Sequence, residues 1–156
     1  MGLAPTTATR LVNEVLDLQR AVRCFAASSS SSRAEGLGAA MHFVLRLVGE
    51  GECRATSLAQ RLGIGNPVLS RHIAELEDQG LVARRRDPKD GRAQLVAITP
   101  RGAKELQLIE EDRSASFKKH LQDWEEDEAL RTIERLNHLT RSLAKPPRVE
   151  SETNTS

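Results

Sequence analysis

One stretch, residues 66–102, most constrains what this chain can fold into. It opens on Asn66-Pro67, a good N-cap followed by a residue whose missing N–H costs nothing at the first helical position. Leu69, Ile73 and Leu76 recur at helical spacing and Gly80 supplies a left-handed stop, which predicts a helix over residues 66 to 79. Two strand-forming runs follow at once, residues 81–86 and 93–98, where Leu95, Val96, Ala97 and Ile98 suit a sheet. Between them Asp87-Pro88-Lys89-Asp90-Gly91 is strong turn chemistry, so the pair reads as a hairpin with a polar tip. Thr99-Pro100 repeats the cap-plus-proline signal and starts another helix.

The rest of the chain reads mainly as helix. Residues 6–27 carry Leu11, Val15, Leu18, Val22 and Phe25 on one stripe, and the serine run 28–32 breaks that helix. A second helix starts near Arg33 or Ala34, carries Leu37, Met41, Val44, Leu45 and Val48, and stops at Gly49 and Gly51. A short strand is expected over residues 52–55. A helix over 58–62 then follows, capped by Thr56 or Ser57 and closed by Gly63. Beyond Pro100, Leu106, Ile109, Phe117, Leu121 and Trp124 share one stripe of a long helix, with Trp124 in a core or a dimer interface. A final helix over 127–143 aligns Leu130, Ile133, Leu136, Thr140 and Leu143, and a polar tail, 146–156, is expected to be disordered.

Only 3% of the residues are aromatic, so a lone copy with this many amphipathic helices is short of material to cover its stripes, and pairing would supply it. No apolar run approaches the roughly 20 residues that span a bilayer, and the N-terminus lacks a signal-peptide pattern. Both point to a soluble, cytoplasmic protein. Net charge is +1, but residues 53–102 hold nine basic and five acidic residues, whereas residues 103–145 hold eight basic and ten acidic. A basic middle between near-neutral helices marks a localised polyanion-binding face.

Short helix, tight turn, second helix and basic hairpin, in that order, make a winged helix-turn-helix. On the wheel of the second helix Leu69, Ile73 and Leu76 point inward, while Pro67, Arg71, Ala74 and Asp78 point away with Ser70 at the flank. A helix that enters a major groove needs that division. Asn66 and Ser70 can bond base edges or phosphates, and Arg71 can bind phosphate or guanine. Lys89 and Arg92 sit at the hairpin tip, where a narrow minor groove favours a cation. Arg84, Arg85 and Arg86 alternate, so they cannot all face DNA: one or two are expected to touch phosphate, with Arg84 and Arg86 the candidates, and the remainder to pair with Asp87, Asp90 or helix carboxylates.

Residues 58–63 (LAQRLG), 70–73 (SRHI), 76–82 (LEDQGLV), 87–92 (DPKDGR) and 98–102 (ITPRG) resemble the MarR family of regulators. Lys89 stands where the family's wing has its first arginine, keeping the charge and losing the planar fork, and Ile98 replaces a leucine. Arg92 matches the minor-groove arginine and Asp90 the acid that orients it. The resemblance spans residues 6–143. It implies a homodimer built from flanking helices (residues 6–50 and 103–145) around a DNA-binding module (53–102), and a pseudo-palindromic site on double-stranded DNA. It also places the second helix beside an effector pocket, where His42 and Arg46 are candidates for a small anionic or phenolic ligand.

Cys24 and Cys53 are candidate redox sites. Arg54 beside Cys53 favours a lowered thiol pKa, while a semi-buried thiol near Phe25 is the plainer reading of Cys24. No cofactor is expected. His72, His120 and His138 have no spacing that makes a metal site with either cysteine. An enzyme finds no support: there is no nucleophile–base set or phosphate loop, and Gly63-Ile64-Gly65 reads as a turn. A winged module that binds protein instead of DNA would need an apolar or acidic outward face, which Arg71 and the basic hairpin oppose.

Overall fold

The computed structural model describes residues 2–28 and 37–145. The chain divides into two compact units, Met1–Phe117 and Lys118–Ser156. The described elements of the first are α1 (Pro5–Ser28), α2 (Ala39–Gly49), β1 (Cys53–Arg54), α3 (Ala55–Leu62), α4 (Asn66–Asp78), β2 (Val82–Arg86), β3 (Gln94–Ile98) and most of α5 (Pro100–His120). The second unit holds the end of α5 and α6 (Glu126–Leu143). The fold is mainly helical, with a three-stranded antiparallel sheet in the order β1-β3-β2.

The core gathers where the sequence places its stripes. Met41, Val44, Leu45 and Val48 of α2, Leu58 of α3 and Leu69, Ile73 and Leu76 of α4 are buried together, with Val82, Val96 and Ile109 from the sheet and α5. Nine large side chains there, Leu76 and Val96 among them, are almost completely sealed from water. Each full burial of a side chain of this size contributes about 1.5–3 kcal/mol. This core fixes α4 against α3 and the sheet behind it.

The helix stops are local chemistry. Gly80 has φ 71°, the Gly80 N–H bonds the Glu77 carbonyl at 2.8 Å, and the Leu81 N–H bonds that of Leu76 at 2.9 Å. That pair of bonds closes α4 and turns the chain straight into β2. Thr99 caps α5 as expected: its Oγ1 accepts the Gly102 N–H at 3.0 Å and donates to the Gly80 carbonyl at 2.6 Å. Gly102 is required by close approach, since a Cβ there would sit 2.0 Å from the Leu81 carbonyl oxygen.

Several expectations shift. The helix placed over 58–62 begins at Ala55, out of β1, with extended Arg54 as its cap residue, so neither Thr56 nor Ser57 is the cap. The cap of α4 is Gly65, whose carbonyl accepts the Leu69 N–H at 3.0 Å; Asn66 is already helical. The α5 helix stops at His120, and the Leu121 and Trp124 amides bond back to Lys118 and Leu121 in successive turns. Trp124 therefore lies in the link before α6, too exposed for a core residue. The remainder of the serine run, the start expected near Arg33 and the tail 146–156 lie outside the described residues.

Candidate nucleic-acid interface

The outward face of α4 forms as its periodicity dictates. With Leu69, Ile73 and Leu76 buried, Asn66, Pro67, Ser70, Arg71, Ala74 and Asp78 are all exposed. Because Gly65 takes the capping place, the Asn66 side chain makes no hydrogen bond to a described residue and is left available. Arg71 likewise has no ion pair among the described residues. An open cleft lined by Thr56, Gln60, Gly63 and Asn66 among others adjoins the start of α4.

The hairpin is pinned at its tip by one carboxylate. Asp87 Oδ2 accepts Nε and Nη2 of Arg54 at 2.9 and 2.6 Å, and Oδ1 accepts the Lys89 N–H at 2.8 Å. The Asp87 N–H also bonds the Ala93 carbonyl at 3.0 Å. The Lys89 amide first, then the Arg54 side chain, holds the Asp87 carboxyl below the usual carboxylate range. Asp90 continues the pattern: its Oδ1 accepts the Arg92 N–H at 3.2 Å and its Oδ2 lies 3.8 Å from Arg54 Nη1. Both aspartates thus fix the backbone of Lys89 and Arg92 while neither side chain is drawn into an ion pair with a described residue. That is the arrangement a tip needs if its cations are to meet phosphate or a groove floor.

Register separates the three strand arginines. Arg84 lies opposite Val96 and Arg85 opposite Leu95, so they point to opposite faces. Arg84 Nε meets Glu77 Oε2 of α4 at 2.8 Å, with Nη2 3.4 Å from the Ser70 carbonyl. Arg85 pairs with both carboxylate oxygens of Glu52, one of them at 2.6 Å. Arg86, opposite Gln94, is exposed with no ion pair to a described residue. Of the two strand candidates, Arg84 is engaged in joining hairpin to helix and Arg86 is free. Arg54, which no local spacing could connect to Asp87, is the positioning residue that sequence reading missed.

The remaining candidates fall away from this surface. His42 is buried, with Nδ1 2.7 Å from Nη1 of Arg113, and burial first, then Arg113 and Arg46, lowers its pKa to about 4. Since a guanidinium only donates, Nδ1 accepts and the ring is neutral. Arg46 is exposed. Cys24 is exposed rather than semi-buried. Cys53 is partly buried, and desolvation raises its thiol pKa against the opposing pull of Arg61, reversing the expectation drawn from Arg54. The neighbouring cation that sequence suggested spends its charge on Asp87. No cluster of His, Cys, Asp and Glu among the described residues could hold a metal ion, and no described helix is long and apolar enough to cross a membrane.

Three helices, a left-handed turn and a pinned basic hairpin define a winged helix-turn-helix of the transcription-regulator class. A profile of the MarR family matches residues 35–93. The chain is similar to the Bacillus subtilis HTH-type transcriptional regulator YxaD, at 32% identity over 100 residues, 64% of this chain and 70% of that one. It is also similar to YdgJ from the same organism, at 26% over 92 residues, 59% of this chain and 56% of YdgJ, so the match spans little more than half of that relative. Among solved structures, the regulator BldR from Sulfolobus solfataricus superposes with TM-score 0.72 at 26% identity, covering 90% of this chain and 99% of its own. NadR, solved with 4-hydroxyphenylacetate, shares the fold at TM-score 0.69 and 21% identity, covering 85% of this chain and 92% of its own. This chain belongs to the MarR family, whose members are transcriptional regulators and not enzymes.

Proposed function

We propose that this protein is a cytoplasmic, sequence-specific regulator that binds double-stranded DNA as a homodimer and represses transcription from a pseudo-palindromic operator. The observation that carries the reading is the pairing of an outward α4 face, Asn66, Pro67, Ser70 and Arg71, with a tip whose Lys89 and Arg92 are backbone-anchored and uncommitted. Residues 66–71 enter a major groove at the helix N-terminus, where the dipole favours phosphate and the carboxylates of Glu75, Glu77 and Asp78 stay behind. Arg92 enters the flanking minor groove, with Lys89 and Arg86 on the backbone. The exposed apolar stripes of α1 and α6 support pairing of two copies around residues 53–102.

Repression is relieved by a signal acting between the flanking helices and the winged module. His42 and Arg46 mark the place for a small anionic or phenolic effector, a reading supported by the fold shared with NadR and its bound 4-hydroxyphenylacetate. For an oxidant, exposed Cys24 is the better candidate, because the raised pKa of Cys53 keeps it a thiol.

Selection of bound duplexes from a random pool tests the central reading. Recovery of a palindromic consensus, with gel-shift affinity lowered about tenfold or more by Arg71→Ala and by Arg92→Ala, is the expected result. A chain that enriches no sequence, or that binds equally well in both variants, overturns it.

A further inference from the structure

Val68 is a large apolar side chain left in water at the start of α4, with 46% of its surface exposed. Burial on this helix is carried by Leu69, Ile73 and Leu76, and Val68 lies outside the buried core. A β-branched residue also gains nothing from the helix itself, where its χ1 is restricted. One turn on, Arg71 stands beside it, since residues three apart neighbour each other with Cβ atoms about 5–6 Å apart. The opposite flank of α4 belongs to the hairpin, through Arg84 with Glu77 and the Ser70 carbonyl. Across the outward face, then, a polar flank toward the wing gives way to a cation and finally to an apolar group.

We infer that Val68 is a specificity-determining residue that contacts the C5-methyl group of a thymine in the major groove, one or two base pairs from the pair that Arg71 reads. The inference rests on the DNA-binding reading above. Thymine alone presents a methyl group on the major-groove edge, so a valine there distinguishes it from every other base without a hydrogen bond. The spacing follows from the rise of about 3.4 Å per base pair against the separation of the two side chains.

The test uses the full chain and its selected duplex. Each thymine of one half-site is replaced singly by deoxyuridine, which lacks only the methyl group, and affinity is measured by fluorescence anisotropy for the wild type, Val68→Ala and Arg71→Ala. The wild type is expected to lose about fourfold at one thymine, the worth of one buried methyl group. That thymine lies within two base pairs of the position where Arg71→Ala relaxes discrimination, and Val68→Ala is indifferent to the same replacement. An unchanged salt dependence for Val68→Ala shows that phosphate contacts are intact. A wild type indifferent at every thymine overturns the inference while leaving DNA binding standing. So does a loss that persists in Val68→Ala, or a Val68→Ala chain altered only in self-association. Failure of the wild type to bind any duplex overturns the DNA-binding reading itself.

Discussion

Helices α4 and α6 are both amphipathic, yet their apolar stripes meet opposite fates. In α4 Leu69, Ile73 and Leu76 are at most 1% exposed, whereas in α6 Leu130, Ile133 and Leu136 are 50, 54 and 42% exposed. The first helix is held by partners within its own chain, from α2, α3 and the sheet. The second presents its stripe to solvent, as α1 does with Leu11, Val12, Leu16, Leu18 and Val22. Contiguous apolar surface of that kind marks an interaction site. The winged module therefore buries the apolar stripe of its own helix, whereas the stripes of α1 and α6 stay exposed.

The contrast is sharpest at single residues. Leu76→Ala is expected to cost about 2–5 kcal/mol in urea unfolding, because it opens a cavity in a sealed core. Gly102→Ala should follow at about 3 kcal/mol, since the new methyl group collides with the Leu81 backbone at the base of the hairpin. An unfolding midpoint unchanged by either would break the claim that this module is tightly packed by itself.

Acid gives a smaller effect with a defined window. The His42 pKa is lowered from 6.5 to about 4, so the folded state disfavours the proton that the unfolded chain takes up. Stability is full above pH 6.5, is lost as the pH falls toward about 4, and falls no further from this group below that. The loss is at most about 3 kcal/mol, and His42→Gln should remove it from a comparison of unfolding at pH 7 and pH 5. Smallest of all, Leu136→Ser in dilute monomer is expected to change stability by less than about 0.5 kcal/mol. The same substitution weakens self-association in sedimentation equilibrium. A loss as large as that of Leu76→Ala would erase the distinction between the two helices.

Most of this architecture was legible because its signals are local. Gly80 with φ 71° closes α4, Asp87 to Gly91 turns the hairpin, and Thr99-Pro100 starts α5, each within a few residues of its cause. Boundaries slipped where backbone competed with side chain: Gly65 rather than Asn66 starts α4, and β1 runs directly into α3. What could not be read were long-range pairings. Arg54 and Asp87 are 33 residues apart and meet only because β1 lies beside β3. His42 and Arg113 are 71 apart, so nothing local showed that the histidine placed beside an effector pocket is a buried, neutral acceptor. Amphipathic spacing likewise gave the stripe of α6 without saying whether its own chain would cover it.

The salt dependence of duplex binding tests the central claim most directly. Each arginine that neutralises a phosphate or sits in the groove releases counterions, so the slope of log K against log salt should be steep for the wild type. Arg92→Ala is expected to flatten it by about one unit for each copy bound, with the chain still folded. A slope identical to that of the wild type would contradict a wing that reaches the DNA.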